Sequence, residues 1–159
     1  AAAFVTSVLQ LAEDAVGLAT VGRIQAEPPI ATAVPARCEL TLDLRHPELA
    51  QLTALEREAR RLADSSPCAA GIVDLYRQDP VRFDSELVAA AGAAVGGGEP
   101  LISGPLHDSA ALAQAGIPTV MLFTSSIDGI SHARAEDTRE PDLVAGIEAL
   151  GAFVTRLLG

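Results

Sequence analysis

Nine residues constrain the fold of this chain more than any others. In Arg37-Cys-Glu-Leu-Thr-Leu-Asp-Leu-Arg45 the apolar Cys38, Leu40, Leu42 and Leu44 alternate with Arg37, Glu39, Thr41, Asp43 and Arg45. Successive strand side chains point to opposite faces, so the pattern predicts a strand with one face on a core and the other toward solvent or a ligand. The stretch Ala19 to Glu27 has the same period. Thr20, Gly22, Ile24 and Ala26 are expected on one face, and Arg23, Gln25 and Glu27 on the other. Pro28-Pro29 ends it, because proline cannot donate to a ladder.

Helical periods flank the pair. Phe4, Val8, Leu11 and Ala15 predict a helix from Ala2 to Val16, closed by Gly17. No capping residue precedes it, so the chain is expected to open inside that helix. Leu49, Leu52, Leu55, Ala59 and Leu62 predict a second helix with Glu48, Glu56, Arg57, Arg60 and Arg61 outside, stopped at Ser65-Ser-Pro67. Gly71 to Gln78 is expected as a further strand. Residues 1–78 thus read helix, strand, strand, helix, strand. That is an α+β unit, an antiparallel sheet with two helices on one face, lacking the first strand of a symmetric split repeat.

Asp79-Pro80 reads as a junction, and the pattern changes after it. Asp84 or Ser85 is expected to cap a helix running through Val95. A short helix is predicted from Asp108 to Ala115, closed by Gly116. Pro118-Thr-Val-Met-Leu-Phe123 is a continuous apolar run, predicting a strand buried on both faces. Thr124 to Arg139 is polar and irregular. Glu140-Pro-Asp opens a long helix with Leu143, Ile147, Leu150, Val154 and Leu157 along one face. Residues 79–159 therefore carry part of an α/β pattern, with too few strands for a complete sheet.

Charge narrows the partners. The 159 residues carry a net charge of −10, and all 11 basic residues are arginine. Nucleic acid and anionic membrane surfaces both call for a concentrated positive field, so neither is expected as a partner. No apolar run approaches the roughly 18–20 residues of a bilayer span. Ala1-Ala-Ala-Phe-Val has no basic n-region of a secretory signal. Cys38 and Cys68 are too few for a disulfide framework, and a cytoplasmic location is the expectation. There are only three histidines, His46, His107 and His132, so an imidazole-rich metal centre would need ligands from elsewhere.

Three loops could carry chemistry: Asp43 to His46, Ser103 to Ser109, and Ser125 to Glu136. His132, in an irregular loop beyond an apolar run, reads as a metal ligand or as a surface histidine. Glu136 reads as its supporting partner or as a solvated carboxylate. Arg45 could bind a ligand carboxylate through its guanidinium fork, or pair with Asp43 or Glu39. His107 and Asp108 do not read as a serine relay, since adjacent side chains rarely face each other and no nucleophile elbow is present. They suit a pocket wall, a helix N-terminus, or both. His46 is expected as a surface residue at a strand end, and Cys38 as a small core hydrophobe.

Taken together, Val34-Pro35, Glu39 to Pro47, Ser103-Gly-x-x-His-Asp-Ser109 and Gly129-Ile-Ser-His132 with Glu136 resemble a known family in order and spacing. It is the hydantoinase/carbamoylase type of amidohydrolase: N-carbamoyl-L-amino-acid hydrolases, allantoate amidohydrolases and β-ureidopropionases, within the zinc aminoacylase/carboxypeptidase superfamily. The resemblance implies that residues 1–78 are most of a lid domain that also dimerises, and residues 79–159 the C-terminal part of a metal-dependent catalytic domain. It implies two divalent ions per site (zinc, or manganese, cobalt or nickel), with His132 as the last ligand. It places Arg45 on the substrate carboxylate and the His107 loop against the substrate. It makes Thr32 a further substrate-binding position, where the family usually has asparagine; Ala36 stands where the family has glycine, and Pro105-Leu106 where it has Ala-Gly. The general-base glutamate and the other ligands lie in a half of the family fold that these residues do not match. The expected function is hydrolysis of a linear C–N bond in a small carbamoyl or ureido amino acid by a homodimer, with this fragment inactive alone. A related metallopeptidase or aminoacylase, and a non-catalytic dimerisation module, are the other readings.

Overall fold

A computed structural model describes all 159 residues, which form two compact units, Ala1–Pro80 and Val81–Gly159.

In the first unit, α1 (Ala2–Asp14) leads into β1 (Leu18–Glu27), β2 (Arg37–Arg45) and α2 (Leu49–Asp64). The strands pair antiparallel, with Ala19 opposite Leu44, Val21 opposite Leu42, Ile24 opposite Leu40 and Ala26 opposite Cys38. Directly opposed residues share a face. The apolar face of β1 is therefore Ala19, Val21, Ile24 and Ala26, which corrects the expectation that Thr20 and Gly22 lie with Ile24. A bulge at Gly22, between Val21 and Arg23, shifts the phase by one residue. Helix α1 packs on β1 and α2, and α2 packs on β2. Val8 and Ala12 of α1 meet a core to which α2 contributes Leu55, Ala59 and Ala63, spaced at four residues.

The exit from α1 is tightly specified. The Val16 N–H donates to the Glu13 carbonyl at 3.0 Å and the Gly17 N–H to the Ala12 carbonyl at 2.8 Å, the pair of bonds of a Schellman cap. Val16 takes the left-handed position, at φ 56°, where glycine is usual. A Cβ at Gly17 would lie 2.9 Å from the Arg45 carbonyl oxygen and 3.0 Å from Leu55 Cδ1. His46 ties the same corner. Its Nδ1 accepts from the Glu48 N–H at 2.9 Å, so Nε2 carries the proton and donates to the Ala15 carbonyl at 3.1 Å. His46 is thus a half-buried tie between β2 and the end of α1, not a free surface residue.

Two expectations in this unit fail. Residues 71–78 form no strand, because no other strand of the chain lies alongside them; residues 71–77 are exposed. Side chains hold the segment instead, through Arg60 to Asp74 at 2.5 Å and Arg77 to Glu56 at 2.6 Å. Cys38 is exposed rather than a core residue; it pairs with Ala26 near the hairpin end of the sheet.

The second unit holds α3 (Ser85–Ala94), α4 (Asp108–Gln114) and α5 (Glu140–Leu158). Asp84 caps α3, its carboxylate accepting from the N–H groups of Glu86 at 3.0 Å and Leu87 at 2.9 Å. These are two of the donors that a helix start leaves without partners. Helix α3 packs on α5. Ala91, Ala110 and Phe153 are buried. The predicted strand 118–123 is absent. Thr119 alone is buried there, and its carbonyl accepts from the Asp84 N–H at 3.2 Å, but no neighbouring strand completes a ladder. Leu143, Ile147, Leu150, Val154 and Leu157 do lie on α5, yet each stays at least 43% exposed. With Val120 and Leu122 several of them line an open groove. No helix is long and apolar enough to cross a membrane.

Candidate functional site

The four residues singled out for binding fall two to each unit. Arg45 ends β2 on its polar face. Its Nε donates to Asp43 Oδ1 at 2.7 Å and its Nη2 to Asp43 Oδ2 at 3.3 Å. That bond, opposed by slight burial, raises the guanidinium pKa above its already high ordinary value. The fork thus makes the Asp43 pairing, the alternative to binding a ligand carboxylate.

Thr32 is exposed in the 28–36 loop that joins β1 to β2. That loop is at the opposite end of the hairpin from Arg45. The eight residue steps from Arg37 to Arg45 amount to roughly 26 Å at strand rise. One small molecule gripped by Arg45 does not reach Thr32 of the same chain.

In the second unit, His107 stands at the N-cap of α4, with Asp108 as the acid of its first turn. His107 offers the helix no side-chain bond. Its Nε2 lies 3.0 Å from Ser103 Oγ, and Phe123 meets the ring edge-on at a centroid distance of 6.4 Å. The ring is half-buried. Sequence reasoning passed over Ser103, although a hydroxyl four residues before a histidine was the available signal.

His132 is exposed and has φ 59°, in the left-handed region. Histidine is among the few non-glycine residues enriched there, and such outliers gather at functional sites. Its backbone N–H donates to Glu136 Oε2 at 2.6 Å, and the Glu136 N–H donates to the Ala133 carbonyl at 3.0 Å. Glu136 therefore fixes the backbone of the loop rather than the imidazole. Ile127 and Asp137 close the loop base through a 2.8 Å backbone bond. No three His, Cys, Asp or Glu side chains are grouped to hold a metal ion. The residues of this chain do not by themselves fit a two-metal centre.

Solved structures share this fold over nearly the whole chain. A hydantoinase/carbamoylase family amidase from Burkholderia vietnamiensis superposes with a TM-score of 0.78 at 33% identity, covering 98% of this chain and 41% of that one. One from Burkholderia multivorans gives 0.79 at 31% identity, with the same coverage. Among sequence relatives, an allantoate amidohydrolase of Bacillus subtilis is 33% identical over 146 residues, 87% of this chain and 35% of that protein. An N-carbamoyl-L-amino-acid amidohydrolase of Rhizobium meliloti is 31% identical over 138 residues, 82% of this chain and 33% of that protein. The chain thus spans about a third of the length of these relatives. The family model for peptidase family M20/M25/M40 matches residues 6–156, all but the ends of the sequence, and the chain belongs to that family.

Proposed function

We propose that this chain is part of a metal-dependent amidohydrolase that cleaves a linear C–N bond of an N-carbamoyl or ureido amino acid. The likeness to allantoate and N-carbamoyl-amino-acid amidohydrolases over more than four fifths of the chain carries this reading. In it, residues 1–78 act as lid and dimerisation domain and residues 79–159 as the C-terminal part of the catalytic domain. Arg45 grips the substrate carboxylate through two parallel N–H bonds. His107 faces the substrate, and His132 supplies one nitrogen to a two-ion centre, zinc or else manganese, cobalt or nickel, whose other ligands lie outside these residues. A homodimer through the lid would reconcile Thr32 with Arg45, each 28–36 loop serving the partner's site. Two exposed free cysteines accord with a reducing cytoplasm.

A chimera tests the reading: residues 1–159 replace the matching stretch of the Bacillus subtilis allantoate amidohydrolase. Allantoate, N-carbamoyl amino acids, N-acetyl amino acids and dipeptides are then assayed. Turnover confined to the ureido and carbamoyl substrates, and abolished by chelation, is the expected result. The family description as a peptidase favours one other reading, and preferential turnover of dipeptides or N-acetyl amino acids would establish it instead.

A further inference from the structure

Two hydrogen bonds meet at one hydroxyl in the loop that carries His107. Ser103 Oγ donates to the Pro105 carbonyl oxygen at 3.1 Å. A carbonyl only accepts, so in that bond the one hydroxyl proton of Ser103 lies on the Pro105 side. With the proton so placed, the same Oγ, 3.0 Å from His107 Nε2, accepts from it. Nε2 carries the ring proton, and in the neutral imidazole Nδ1 keeps the lone pair. The edge contact from Phe123 and the half-burial of the ring restrict its rotation. No group of the chain donates to Nδ1.

We propose that Ser103 is a positioning residue that holds His107 in the Nε2–H tautomer, so that the loop presents a hydrogen-bond acceptor to its ligand. If the proposed function holds, the matching donor is the N–H of a carbamoyl group, which an acyl methyl lacks. The tautomer itself does not depend on that reading.

Long-range proton–nitrogen NMR spectra of the 15N-labelled chain, at a pH where the imidazole is neutral, test the proposal without any activity. The expected result is a pyridine-type Nδ1 and a pyrrole-type Nε2 for His107. Ser103→Ala should lower the tautomer ratio by roughly 2- to 10-fold, the worth of one hydrogen bond, and Ser103→Thr should restore it. An averaged or inverted pattern in the unmodified chain overturns the assignment without any variant. So does an unchanged pattern in a folded Ser103→Ala chain. Either failure leaves the chimera assay untouched, and failure of that assay leaves the tautomer result standing.

Discussion

In the proposed function, a guanidinium at Arg45 that is already bonded to Asp43 takes the substrate carboxylate as well. The guanidinium carries five N–H donors in a planar fork, of which Asp43 engages Nε and Nη2. Lysine has a point charge and no fork, so Arg45→Lys in the chimera should raise KM about 10-fold or more with kcat within a few-fold. Steady-state kinetics with an N-carbamoyl amino acid check this, and an unchanged KM would remove Arg45 from the site. The types of the site residues were legible in the sequence, because charge and ring chemistry are properties of single positions. Their geometry was not. The left-handed backbone of His132, the turn of Glu136 toward a backbone N–H and the Ser103 bond to His107 each depend on how a loop closes. No periodicity records that.

The corner where α1 meets the sheet concentrates the strain of the first unit. Val16 is β-branched, solvent-exposed and left-handed, a conformation costing an L-residue about 1–2 kcal/mol. Glycine there escapes that cost but gives back about 0.5–1 kcal/mol in unfolded-chain entropy. Val16→Gly should therefore raise stability by about 0.5–1 kcal/mol, read as a higher urea midpoint at constant slope. Gly17→Ala should act in the opposite sense. Its methyl would press on the Arg45 carbonyl and Leu55, at a cost of about 1–3 kcal/mol, visible in the same titration. A stable Gly17→Ala chain would refute the packing described at this corner. Elements with a local cause were readable in advance. The alternation of 37–45 gave β2, and the leucine spacing with its Ser65-Ser-Pro67 stop gave α2. Elements that need a partner were not. Residues 71–78 and 118–123 have strand composition, but a strand exists only with a neighbour. The Gly22 bulge likewise reverses the face of Thr20 in a way that strict period two cannot show.

The whole chain carries an incomplete chemistry. Its three histidines are not grouped with acids or thiols into a metal cage, and it spans 33–41% of the relatives described above. By itself it is predicted to show no turnover of N-carbamoyl amino acids with zinc, manganese, cobalt or nickel added. A metal-dependent rate from the isolated chain would contradict that. The exposed apolar stripe of α5 and the unladdered 118–123 segment show that the second unit leaves apolar surface uncovered by its own residues. The proposed function requires His132 to donate its ring nitrogen to a divalent ion. Metal content of the chimera by mass spectrometry, with and without His132→Ala, tests it most directly. The expected result is loss of at least one ion per site together with turnover, while the circular dichroism spectrum is retained. Unchanged metal content after the substitution would contradict it.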